Sequence, residues 1–220
     1  MSVSENIAMV NGRIASAAAR SGRNSSQIRL VAVTKYADAG QIKEAIAQGV
    51  QIIGENRIQD AVEKIKGLPK VEKHFLGAVQ SNKIRLIAQY FDCVQSISSI
   101  GAARKLDQEC RMLGKAMPVL VEVNIGKEET KHGVIPENAL ELCNGVTKFL
   151  NLRLEGLMCI APYFDKKEIE KTRPYFRQMK ELNEKIGLKW ISMGMSNDFE
   201  IAIEEGSTMV RIGRMIFNQG

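Results

Sequence analysis

Imidazole and thiol chemistry are scarce in this sequence: it has two histidines, His74 and His132, and four scattered cysteines. Two imidazoles are too few for a typical zinc enzyme. Cys93, Cys110, Cys143 and Cys159 form no CxxC pair and have no matching histidine pair, which argues against a disulfide framework or a structural zinc site. A reduced cytosolic chain without a dedicated metal is expected. Phe, Trp and Tyr make up only 5% of residues, so stacking platforms for single-stranded nucleic acid are not expected. No stretch approaches the ~20 apolar residues of a membrane span. The opening "MSVSENIAMVNGRIASAAAR" lacks the apolar core of a secretory signal. A one-signed charged face is missing too. The net charge is +6, but basic and acidic residues interleave, as in "DKKEIEKTRPYFRQMKELNEK" at 165–185. That pattern reads as a solvated helix face, not a nucleic-acid stripe.

With 45% hydrophobic and 25% charged residues over 220 positions, the chain can bury a substantial core. The apolar runs alternate regularly with helical patterns. An opening helix carries Ile7, Val10 and Ile14 on one face and ends near Gly22. Then come "IRLVAVT" (28–34), "VQIIG" (50–54), "HFLG" (74–77), "FDCVQSI" (91–97), "PVLVEVN" (118–124), "LRLEGLMC" (152–159), "KWISMG" (189–194) and "TMVRIG" (208–213). Between most of them lie helix signatures, such as Asp38 as N-cap before "AGQIKEAIAQG" with Gly49 as the stop. The runs are near-continuously apolar, as parallel strands buried on both faces require. Eight such units with no linker or repeat predict an α/β fold: a single (β/α)₈ TIM barrel over 1–220 with an extra N-terminal helix. A doubly wound open sheet is the rival.

In such a barrel, the loops after the strands build the site. That rule selects Lys35, Glu55 and Asn56, the run Gln80, Ser81, Asn82 and Lys83, and then Asn124 and Met158. It also selects Ser196 and Asn197 in "MGMSND" and Arg211, Gly213 and Arg214 in "RIGR". Lys35 follows "LVAVT" directly. A lysine kept from water there becomes a nucleophile toward carbonyls, whereas one snorkelling out of a strand end does not. Loops seven and eight of TIM barrels often cradle phosphate on backbone N–H groups. A lysine opposite such a cradle points to a phosphorylated aldehyde, with pyridoxal phosphate the commonest. Among the remaining residues, His74 reads as a structural hydrogen-bonding residue and His132 as exposed. Glu55 is a possible proton acceptor, or a carboxylate stabilised at a helix N-terminus. The methionines are read as core filler.

"VAVTK", "GENRIQD", "HFLGAVQSNK", "EVNIGKEETKHG", "GLMCIAP" and "SMGMSNDFEIAIEEGSTMVRIG" resemble, in order, the signatures of the YggS/PROSC family of pyridoxal phosphate homeostasis proteins. The resemblance runs from about residue 28 to residue 217. It implies a cytosolic, fold-type III barrel similar to the N-terminal barrel of alanine racemase, with pyridoxal 5′-phosphate held on Lys35 as a Schiff base (a covalent aldimine). By the same resemblance Ser196, with Asn197 beside it, and the Gly213 region hold the phosphate. Arg211 faces the pyridine nitrogen and leaves it unprotonated, which makes the ring a poor electron sink. Asn56, Asn82 and Met158 fall at matching positions near the ring. The implied role is a non-catalytic carrier or regulator in vitamin B6 and amino-acid balance. It would act as a monomer, with pyridoxal-phosphate-dependent apoenzymes as possible recipients. The alternative is an amino-acid racemase, but alanine racemase takes its second base from a further β domain, and this sequence ends with the barrel. Two positions depart from the family pattern: Arg214 stands where a threonine is usual, and Asn218 where a glycine is usual.

Overall fold

Local capping sets the start of the first two helices. The Ser2 hydroxyl accepts from the Glu5 amide while the Glu5 carboxylate accepts from the Ser2 amide, and α1 then runs Val3–Arg20. Val3, Ile7, Val10, Ile14 and Ala17 recur at helical spacing along its buried face. Asp38 and Gln41 repeat the device at the start of α2 (Ala39–Ala47). Gly49, at φ 89°, turns the chain out of that helix in a conformation that side chains resist.

The protein is described here by a computed structural model covering residues 2–217; Asn218 lies outside the described residues. The strands are β1 (Arg29–Val33), β2 (Ile52–Glu55), β3 (Glu72–Phe75), β4 (Cys93–Ile97), β5 (Met117–Val123), β6 (Leu152–Cys159), β7 (Trp190–Ser192) and β8 (Met209–Ile212). After α2, the connecting helices are α3 (Ile58–Ile65), α4 (Ile84–Tyr90), α5 (Ile100–Met112), α6 (Pro136–Val146), α7 (Arg173–Ile186), α8 (Phe199–Glu204) and α9 (Arg214–Phe217). All strands run parallel and close in sequence order; β8 returns to β1 through Leu30 opposite Val210. The open-sheet alternative is thereby excluded. The third strand lies two residues earlier than the apolar run "HFLG" suggests, because Glu72 and Lys73 pair with Ile52 and Ile53. Their backbones complete the ladder while their side chains stay half-buried.

Two packed layers follow from the strand alternation. Ala32, Ile53, Val119, Val121 and Val210 join the large cluster with the helices. Val31, Ile52 and Met209 form a separate group with Leu76 and Trp190, and Cys93, Leu120 and Met158 form another around Trp190. All four cysteines are buried and unpaired, and burial pushes the Cys159 thiol up to about 12. None is poised as a thiolate.

Gly156 of β6 is required by this closure. A Cβ there would sit 2.1 Å from the Trp190 carbonyl oxygen, a backbone atom that cannot rotate away. Gly156→Ala is therefore expected to cost at least the ~1–3 kcal/mol typical of overpacking. Denaturant midpoints of parent and variant check this, and equal midpoints would contradict it.

The first helix is tied to the elements that carry the eighth-strand end of the barrel. Arg13 pairs with Glu200 at 2.5 Å and lies 5.0 Å from the Phe199 ring centroid, while Arg20 pairs with Glu204 at 2.7 Å. The buried Asn6 amide donates to the Ile216 carbonyl at 3.0 Å. Thus α1 is tied to both α8 and α9. No helix among the described residues is long and apolar enough to cross a membrane.

Candidate functional site

A cavity of about 470 Å³ opens at the strand C-terminal end, within the range of small-ligand sites. Lys35, Ser196, Asn197, Arg211, Gly213 and Arg214 all line it. Its apolar walls include Val33, Ile160, Pro162 and Phe164, and Tyr36 and Tyr163 stand exposed at the mouth. No group of three or more potential metal-ligating side chains occurs among the described residues.

Lys35 leaves β1 two residues after Val33 and is half-buried, with Nζ 4.5 Å from the Tyr36 ring centroid. Its backbone is held from behind. Lys64 of α3 donates to the carbonyls of Thr34 (3.2 Å) and Lys35 (3.1 Å) and lies 3.7 Å from Glu55 Oε1, which accepts from the Thr34 hydroxyl at 2.7 Å. This fixes the root of the Lys35 side chain while its amine faces the cavity. Lys83 points elsewhere, toward Gln59 Oε1 at 3.3 Å.

Glu55 does not sit at a helix N-terminus, as one sequence reading holds. It is the last residue of β2, and α3 begins only at Ile58 behind Arg57. Its Oε2 is buried without a partner, and burial raises the carboxyl above the ordinary range. The folded protein therefore takes up this proton at a higher pH than the unfolded chain. The charged carboxylate is a destabilising element above its folded pKa, and that cost fades as pH falls through it. Glu55→Gln is expected to gain stability relative to the parent at pH 8 and to lose that advantage by about pH 4, the ordinary carboxylate value. Paired thermal melts at both pH values check it. A constant difference would show that the carboxylate is not the cause.

On the other side of the cavity, the segment after β7 turns tightly. Asp198 Oδ1 accepts from the Met195 amide at 2.6 Å, and the amides of Asp198 and Phe199 return to the Met195 carbonyl. Burial raises the Asp198 carboxyl. Among the described residues, the intervening amides of Ser196 and Asn197 donate to no protein acceptor. Gly213 faces this turn, and a Cβ on it would lie 2.9 Å from the Val33 carbonyl oxygen. Only a glycine lets the chain pass between β1 and the cavity here.

Arg211 is the buried cation between the two halves. It donates to Ser192 Oγ at 2.7 Å and to the Cys159 carbonyl at 2.8 Å, and no salt bridge reaches it among the described residues. Both acceptors are neutral, and Arg211 also lines the cavity. Desolvation holds its pKa below the usual arginine value. Together with Lys35, Lys131 and Arg214 on the walls, the site attracts anions.

Three expected residues are not brought into this cavity's lining. Asn56 and Asn82 are exposed in the loops after β2 and β3, and Met158 is turned into the barrel by the pleat of β6, against Cys93 and Leu120. Arg214 is exposed at the rim. His132 is exposed, and His74 is fully buried and hydrogen-bonded, as the sequence reading holds for both. Lys64, Asp198, Ser192 and Gln95 went unselected by the loop rule. The last two carry a faint signal, polar side chains inside the apolar runs "FDCVQSI" and "KWISMG".

The family described as "Alanine racemase, N-terminal domain" matches residues 11–219. A pyridoxal phosphate homeostasis protein of Aquifex aeolicus is 36% identical over 100% of this chain and 99% of its own. PipY of Synechococcus elongatus, solved with PLP bound, superposes with a TM-score of 0.84 at 29% identity, over 98% of this chain and 99% of that one. An alanine racemase of Clostridium difficile shares the fold, with a TM-score of 0.76 at 16% identity; 96% of this chain covers 56% of the racemase.

Proposed function

This chain belongs to the family of pyridoxal phosphate homeostasis proteins, within the wider alanine racemase N-terminal domain family; from that premise we propose that it binds pyridoxal 5′-phosphate through Lys35 and serves as a carrier or regulator of that cofactor. The observation that carries the reading is one cavity lined by a half-buried lysine, a buried arginine bonded to neutral acceptors, and the two turns after β7 and β8. Those residues suit the group: a primary amine for an aldehyde, bare backbone amides for a phosphate, and a guanidinium for a ring nitrogen.

When bound, the group supplies an electrophilic carbon and a pyridine ring that can accept electron density. The chain's own residues limit that chemistry. Arg211 only donates, so a ring nitrogen facing it stays without a proton and the ring is a weak sink. The Ser196 and Asn197 amides, with the Gly213 turn opposite, orient the phosphate. The apolar residues Val33, Ile160 and Pro162 share the cavity wall with Lys35. We place the protein in the cytosol, as a single-barrel monomer that hands its ligand to apoenzymes. Support for a non-catalytic role comes from the length comparison. The homeostasis protein is covered nearly end to end, whereas over two-fifths of the racemase has no counterpart in the match.

The test is titration of apo protein with pyridoxal 5′-phosphate, read by absorbance, together with a chiral assay on alanine and other common amino acids. Saturable binding without turnover is expected. Racemisation in the enzymatic range of ~1–10³ per second, lost in Lys35→Ala, would reverse the choice in favour of a racemase-like enzyme.

A further inference from the structure

An unbroken line of hydrogen bonds runs through the middle of the barrel, from its lower rim to the floor of the cavity. Arg211 Nη1 donates to Ser192 Oγ at 2.7 Å, and Ser192 Oγ lies 2.6 Å from Gln95 Oε1. Gln95 Nε2 lies 2.7 Å from His74 Nδ1, and His74 Nε2 lies 2.7 Å from Glu72 Oε1. Glu72 Oε2 pairs with Arg29 at 2.5 Å. Four strands besides β8 contribute, yet of these residues the cavity is lined only by Arg211.

The direction of every proton in this line follows from one fact, that a guanidinium can only donate. Ser192 Oγ accepts from Arg211, and Ser192 is fully buried, so its own hydroxyl proton must go to the one remaining acceptor, Gln95 Oε1. The amide nitrogen of Gln95 then faces His74 with one hydrogen and the Met209 sulfur, 3.0 Å away, with the other. A flipped amide would leave the Ser192 hydroxyl without an acceptor in a dry interior. His74 Nδ1 is therefore bare, and Nε2 carries the proton given to Glu72. Burial favours the neutral ring, and the His74 contact holds the Glu72 carboxyl below its ordinary range.

We propose that Ser192, Gln95 and His74 are positioning residues for the ligand: as a one-way chain of donors they lock the Arg211 guanidinium in the plane and rotation that present its free N–H to the ring. This rests on the reading of the cavity as a pyridoxal phosphate site. The chain touches no ligand itself and acts only through Arg211. Lys35 on β1 is independent of it, so breaking the chain leaves the covalent link possible and weakens only the ring contact.

The experiment is a double-mutant cycle on pyridoxal 5′-phosphate affinity, with thermal melts to confirm folding. Gln95→Leu is expected to raise Kd on the order of tenfold, as loss of a well-placed charge-assisted bond does. In an Arg211→Ala background the same change is expected to have no further effect. Ser192→Ala should behave as Gln95→Leu does. His74→Asn, which keeps an acceptor toward Gln95, should restore affinity that His74→Leu loses. In the parent protein, ring-nitrogen chemical shifts should show His74 neutral with its proton on Nε2; His132 is the only other imidazole to assign. A parent that binds normally with Gln95→Leu unchanged, or equal losses in both backgrounds, overturns the positioning role alone, as does a proton on His74 Nδ1. A parent that does not bind at all overturns the reading of the cavity.

Discussion

Lys35→Ala is expected to abolish covalent retention of pyridoxal 5′-phosphate while leaving the barrel intact. On the proposed reading the Lys35 amine is the reacting atom, and no other lysine among the described residues of the cavity wall is placed to replace it. Lys131 Nζ is engaged by Glu128 at 2.6 Å and by the Ala161 carbonyl at 3.1 Å, and Lys64 is turned to the outer side of β1 and β2. The fold should not suffer. Lys35 Nζ meets only the exposed Tyr36 side chain among the described residues, and the backbone support from Lys64 survives the substitution. Melting temperature should therefore match the parent, as for surface changes within about 0.5 kcal/mol. Gel filtration of loaded protein followed by an absorbance spectrum reads the result. The parent should elute with its absorption band and the variant without. A band that stays with folded Lys35→Ala would remove the lysine from the account.

The second large effect belongs to Arg211→Ala, for which cofactor affinity should fall at least tenfold. The lost charge-assisted hydrogen bond alone is worth ~1.5–3 kcal/mol, which spans roughly one to two decades in Kd. Arg214→Thr supplies the contrast, since Arg214 is exposed at the rim and such positions change little. The two arginines stand on either side of Gly213, yet Arg211 points into the closed barrel from β8 while Arg214 opens α9 and is exposed. Titration of each apo variant decides between them. Comparable losses for both would mean that the cavity responds to net charge and not to the Arg211 geometry.

This contrast shows where the sequence is legible. Eight parallel strands can be read because each is apolar on both faces, and their order follows because α/β units close in sequence. The ends of strands seven and eight can be read because glycine and short polar residues interrupt those runs. The register of β3 cannot, since "EKHF" pairs through its backbone and hides two charged stems at the rim. Nor can the Arg211 line of partners. Ser192, Gln95 and His74 lie up to 118 residues apart and meet only because the barrel closes. Glu55 is the opposite case. Its position after an apolar run is plain, but only the alternation of β2 decides that its carboxylate packs under Thr34 and Lys64 instead of capping a helix.

The central claim is that Lys35 is the one covalent anchor in a cavity built around Arg211 and the Gly213 turn. It is tested most directly by borohydride reduction of the loaded protein, followed by proteolysis and mass mapping. The account predicts that the added mass lies on the peptide containing Lys35, in one-to-one yield and fixed irreversibly by reduction. Label found chiefly on Lys83, Lys131 or Lys64, or spread evenly over exposed lysines, would contradict it.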